Sequence, residues 1–205
     1  MRIPSLAPLL SSFVCVAAWA NETPTYTPLS AEQATELLDG EIIVDLQRGD
    51  PSRAETLALI HAPMRELGEI IADFDTATEW APALTEQYTV ERDGDAYILQ
   101  TTTAIPWPIA DRHFRTRATW EFTTVDGHEA FVNAFEYIEG SGNLDETYGY
   151  WLLIPYPDDP EYTYAKYVVY ADPGIAVPEF LVRWVTRNAL PDVIRALAER
   201  HAIGD

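Results

Sequence analysis

Lysine is all but missing from this chain. Lys166 is the only one, and with the arginines the basic residues total 13 against 33 acidic ones. A formal charge of −20 and a pI near 4.3 repel polyanions. That excludes nucleic acid as a partner and leaves at most transient contact with a membrane surface. Cysteine occurs once, as Cys15, so neither a disulfide framework nor a thiolate metal cluster can form. The four histidines, His61, His113, His128 and His201, have no ligand spacing, and no nucleotide motif is visible. No metal and no cofactor are therefore expected. Internal repeats and low-complexity tracts are absent as well. At 205 residues the chain has the length of one domain with a substantial core.

What is present begins with MRIPSLAPLLSSFVCVAAWA, one basic residue followed by an apolar run that ends Ala18-Trp19-Ala20. This pattern predicts a secretory signal over residues 1–20, cut between Ala20 and Asn21. The run is short for a bilayer span and is interrupted by Pro8 and two serines. Val14 is too large for the position before a lipoprotein cysteine, so Cys15 should leave with the signal. Without Arg2 the remaining chain has 12 basic and 33 acidic residues, a net −21. The expectation is a periplasmic or secreted protein, free of disulfides, whose stability comes from its core.

After a polar, loose lead at residues 21–36, which includes the start of the first helix, the domain runs over 37–205. Ser30 and Gln33 form a capping box and Gly40 ends that helix. EIIVDLQRG and RAETLALIHA read as strands. PMRELGEIIADF reads as a helix with Leu67, Ile70, Ile71 and Phe74 at helical spacing. DTATEWAPAL reads as a loop. Strand pairs then meet at Asp93-Gly94, at Asp126-Gly127-His128 and at a Pro-Asp-Asp-Pro corner. A long amphipathic helix closes the chain, with Phe180, Leu181, Trp184, Val185 and Leu190 on one side, and Pro191 must kink or divide it. Nothing alternates strand with helix, so the class is α+β, a curved antiparallel sheet around a long C-terminal helix. Such folds commonly keep a cavity between sheet and helix.

Three stretches resemble the START-like lipid-binding domains of the polyketide cyclase and plant-allergen superfamily, the helix-grip folds. They are IHAPMRELGEIIADFDTATEWAP, PWPIADRHF and ADPGIAVPEFLVRWVTRNALPDVIRALAER. The chain departs from the family pattern at His113, where an aspartate is common after the arginine, and at Ile175, where a second glycine is common. The resemblance implies a cavity that binds or transfers a hydrophobic ligand, whether lipid, sterol-like or polyketide-like. The alternative is a polyketide cyclase or dehydratase type of enzyme acting in the same cavity.

Alternation along β-structure places Arg112, Phe114, Thr116, Ala118, Trp120 and Phe122 on one face, and His113, Arg115 and Arg117 on the other. The first face is apolar apart from Arg112 and Thr116, so it should line the cavity. Arg112 would then need an acid or a ligand head group. Its partner is either the ligand or one of Asp111, Glu136 and Asp172. Trp107, between Pro106 and Pro108, should sit on a stiff rim at the entrance. Tyr137, Tyr150, Tyr167, Phe180 and Trp184 complete the expected lining. No paired-carboxylate or Ser/His/Asp arrangement stands out, so the expectation is a carrier of a neutral or zwitterionic molecule. Loading would use the Asp172-Pro173-Gly174 turn as hinge.

Overall fold

The computed structural model describes residues 22–107, 110–141, 144–172 and 178–204. The expected export signal, Pro108 and the Pro173-Gly174 part of the expected hinge lie outside them. Eight strands form one antiparallel sheet: β1 Ile43–Gln47, β2 Ser52–Ile60, β3 Leu84–Asp93, β4 Ala96–Thr103, β5 Arg112–Val125, β6 His128–Ser141, β7 Glu146–Pro155 and β8 Thr163–Asp172. Their order is β1-β2-β8-β7-β6-β5-β4-β3, so the meander β3 to β8 is joined edgewise to the first hairpin. The turns follow from their residues. Asp126 and Gly127 both adopt positive φ, 50° and 87°, as the tight β5–β6 hairpin requires.

Helices cover both faces. On the convex face lies α1, Ala31–Leu38, started by the Ser30 and Gln33 box, in which Gln33 N donates to Ser30 Oγ at 3.2 Å and Ser30 N to Gln33 Oε1 at 3.0 Å. Leu37 from this helix joins Leu57, Leu59, Val132, Leu152, Ile154 and Tyr164 in a core layer. The segment before α1 is also docked. Arg53 Nε and Nη2 each donate to Glu22 at 3.0 Å, Tyr150 and Tyr170 donate to the same carboxylate, and Tyr26 packs edge-on to Tyr164. The lone lysine, Lys166, is buried nearby with Nζ 3.4 Å from Glu55. A half-buried Glu22 gains more from these donors than it loses in desolvation, which ties this polar segment to the sheet.

On the concave face sit α2, Met64–Ala72, a 3-10 turn over Phe74–Glu79, and α4, Leu190–Gly204. Gly68 lets α2 come close: a Cβ there would stand 2.8 Å from the ring of Phe131. Leu67, Ile71, Ile194 and Leu197 meet Phe131, Trp151 and Leu153 in a second core layer. The C-terminal helix is divided as Pro191 demands. Its first part, α3, Glu179–Trp184, buries no residue, and a π turn over Val185–Ala189 leads into α4. The amide of Leu190 reaches back to Val185 O. A π turn is a local accommodation of a break in the i to i−4 ladder, here next to a residue without an N–H. No helix among the described residues is long and apolar enough to cross a membrane.

Candidate functional site

Between the sheet and its inner helices is a cavity of about 360 Å³, within the range of small-molecule sites. β5 supplies Arg112, Phe114, Thr116 and Ala118, alternate residues of one pleated face. Register carries this face across the sheet. Ala118 pairs with Phe135, Asn133 with Trp151, and Trp151 with Tyr167, and the last two rings stack at 4.5 Å. The roof consists of Ile71, Phe74, Ala77, Trp80, Ala81 and Val193. Gly149 makes room for the wall, since a Cβ there would meet Val168 O at 2.0 Å and the Phe135 ring at 3.0 Å.

The cavity has two unlike ends. Phe74, Leu99 and Ala118 form one of them, packed against Phe135. At the other, Arg112 pairs with Thr103 at the strand ends, near Ile105, Leu144 and Thr147. Arg112 is only 6% exposed. Its Nη1 donates to Ala110 O at 2.6 Å, and among the described residues it forms no ion pair. Asp111 instead accepts from Ile105 N at 3.2 Å. Glu136 stands on the outer face, in register with Arg117. Burial pulls the guanidinium pKa down, yet a guanidinium stays charged near neutral pH. Tyr167 is the one tyrosine on the wall, and burial pushes its hydroxyl up to about 12. It therefore acts as a neutral hydrogen-bonding group. Among the described lining residues there is no carboxylate, histidine, lysine or cysteine.

The expected site residues separate into groups. Arg112, Phe114 and Tyr167 line the cavity together. Trp120 shares their face but stands beside the cavity, stacked on Phe131 and edge-on to Phe122. Tyr150 points the other way. It is fully buried on the convex face with its hydroxyl 3.3 Å from Glu22, because its neighbour Trp151 takes the cavity side. Tyr137 follows Phe135 on β6, but the β6–β7 pairing stops at Glu136, and it lines a separate acidic cleft with Asp145, Glu146 and Asp172. Phe180 is 40% exposed and Trp184 half-buried, and neither is part of the lining. The helix contributes Val193 instead, beyond the π turn. Trp107 is 90% exposed on the β4–β5 loop, two residues after the lining residue Ile105. His113 faces outward, as alternation requires, with Nδ1 3.0 Å from Thr102 Oγ1.

The expected lining leaves out Phe74, Trp80, Leu99 and Val193, and also Phe135 and Trp151, strand aromatics whose facing alternation leaves open. The available signal was the phase of β4 set by its pairing with β5, which places Leu99 opposite Thr116 and Thr101 opposite Phe114.

No family model and no curated protein matches the chain. Solved structures do match. The STAR-related lipid transfer protein (fragment 25–204) from Xanthomonas axonopodis aligns with a TM-score of 0.64 at 18% identity, over 78% of this chain and 93% of that one. Human StAR-related lipid transfer protein 5 aligns at 0.62 and 11%, over 78% and 87%. The Zhui aromatase/cyclase from Streptomyces sp. R1128 aligns at 0.56 and 17%, over 73% and 94%. At such identities the likeness concerns the fold.

Proposed function

Starting from a START-like, helix-grip fold with a lined interior cavity, we propose that the protein binds and carries a hydrophobic small molecule in that cavity. The observation that carries this reading is the cavity itself, mainly apolar, with one buried arginine. A well-packed core leaves few voids larger than a water molecule, whereas this space has the volume of a ligand site. The similar structures from Xanthomonas axonopodis and human are lipid transfer proteins by name, which supports carriage. Phe114, Tyr167, Phe135 and Trp151 would hold the apolar body, and Arg112 the polar end. Trp107, Trp120, Tyr137, Phe180 and Trp184 would act at or outside the rim.

The third similar protein is an aromatase/cyclase, and Arg112 with Tyr167 could polarise a carbonyl. Among the described lining residues no carboxylate or histidine stands as a general base of suitable pKa, which favours carriage over catalysis. We place the protein in the periplasm or outside the cell, from the A-x-A site at Ala18–Ala20. Intact-mass analysis of the exported protein should give a chain beginning at Asn21. With a net charge of −21 after cleavage, contact with anionic bilayers would be brief and local.

Native mass spectrometry after gentle purification tests the proposal. A hydrophobic molecule retained at one per chain is the expected result. Turnover of a polyketide substrate, lost on changing Arg112 or Tyr167, would replace carriage by catalysis.

A further inference from the structure

The acids outnumber the bases by 33 to 13, so a basic side chain without an acid needs an explanation. The other buried or half-buried cations have theirs. Arg53 holds Glu22 and Glu55, Lys166 lies 3.4 Å from Glu55, and Arg117 Nη1 lies 2.6 Å from Asp93. Arg112 is more deeply buried than Arg53 or Arg117, and among the described residues it has one backbone carbonyl and no carboxylate. A guanidinium carries five N–H donors, and a buried cation without a counter-charge is costly. The indole N–H of Trp80, another lining residue, is buried and has no acceptor. Among the described lining residues there are thus a cation without a counter-charge and an indole N–H without an acceptor, and no anion.

We infer that the ligand supplies the missing anion: the cavity takes a slim monoanionic amphiphile, a hydrophobic carboxylic acid, whose carboxylate pairs with Arg112. This rests on the binding role proposed above and specifies its ligand class. One cation matches one negative charge, and the planar guanidinium fork fits a carboxylate in bidentate fashion. A phosphate dianion would remain undercompensated. Shape points the same way. From Arg112 to Ala118 the wall runs six residues along β5, about 20 Å at strand rise, so the acid would lie with its tail among Phe74, Leu99 and Phe135. The overall negative charge points instead to a neutral or zwitterionic ligand, but it acts at long range, whereas Arg112 acts in contact. The two effects separate with salt, which screens the former over ~10 Å at 0.1 M and leaves a buried pair largely intact.

Calorimetric titration of the exported protein with dodecanoate and with 1-dodecanol, both below their aggregation limits, tests this. Dodecanoate should bind at least about tenfold more tightly. Its affinity should rise between low and moderate salt, while that of the alcohol stays flat. Arg112→Gln should weaken dodecanoate by about thirtyfold and the alcohol by less than about threefold. Arg112→Lys, which keeps the charge and loses the fork, should fall between, and it serves as the test if the glutamine variant does not fold. Equal binding of acid and alcohol, or an acid affinity that does not depend on Arg112, would overturn the inference and leave hydrophobic carriage standing. Failure of both ligands to bind, with no guest in the native mass spectrum, would overturn both.

Discussion

Replacing Arg112 with leucine is expected to stabilise the ligand-free protein. Arg112 is 6% exposed and its guanidinium has a single described partner, Ala110 O at 2.6 Å. A buried charge without an ion pair costs several kcal/mol in desolvation, and one bond to a carbonyl returns about 1.5–3 kcal/mol of that. Leucine removes the charge and fills part of the same space, a gain of about 2 kcal/mol by analogy with apolar replacement of buried charges. The released Ala110 carbonyl subtracts about 1 kcal/mol. The net is about +1 kcal/mol, or a rise in Tm of about 2–4 °C for a domain of this size. Differential scanning calorimetry on ligand-stripped protein reads this directly. The same variant should lose retention of its native ligand, so stability and binding move in opposite directions. A fall in Tm of similar size with unchanged ligand retention would refute the reasoning and make Arg112 a structural residue.

Two further outcomes follow from the packing. Gly68→Ala should destabilise the fold by up to about 2 kcal/mol although alanine is the better helix former, because overpacking costs about 1–3 kcal/mol and propensity returns about 1 kcal/mol. The new Cβ would meet the fully buried Phe131 ring at 2.8 Å, and urea denaturation showing a gain instead would contradict that contact. For Glu22, burial pushes the carboxyl pKa up, but hydrogen bonds from Arg53, Tyr170 and Tyr150 outweigh it and the net shift is below the ordinary 4.5. A depressed carboxylate contributes stability above its unfolded pKa and loses it as pH falls through the folded value. Glu22→Gln should therefore cost about 2 kcal/mol at pH 7. The difference from the natural chain should shrink below about pH 4.5, and a gap that persists unchanged to pH 3 would exclude the linkage.

Much of this fold is legible in the residues. Asp93-Gly94 and Asp126-Gly127 mark two hairpins, both glycines having positive φ, and the face of β5 follows from alternation from Arg112 to Ala118. The phase of β7 does not follow. Its residues from Thr147 to Ile154 are all buried, and a strand covered on both faces gives no polar residue to say which way Tyr150 and Trp151 point. Tyr137 escapes for another reason: it keeps its register opposite Thr116, but the β6–β7 pairing ends at Glu136, so the wall stops before it. Pro191 announces a break in the last helix, but not that a π turn absorbs it and passes the contact with the cavity from Trp184 to Val193. Of the roof residues, Phe74 reads as the end of a helix that in fact stops at Ala72, and Trp80 lies in a segment that reads as a loop. Glu22 and Tyr26 lie in one that reads as a loose lead, since tertiary partners 31 to 148 residues away fix them.

The central claim is that the space between sheet and helices is a binding site. Titrating the neutral dye N-phenyl-1-naphthylamine into the natural protein and into Ala118→Phe tests it most directly. Ala118 is 1% exposed and lines the apolar end, so a phenyl ring there occupies the cavity. The account predicts saturable one-to-one binding to the natural chain, and affinity weakened at least about tenfold in the variant, with circular dichroism unchanged. Equal dye binding by both proteins would contradict it.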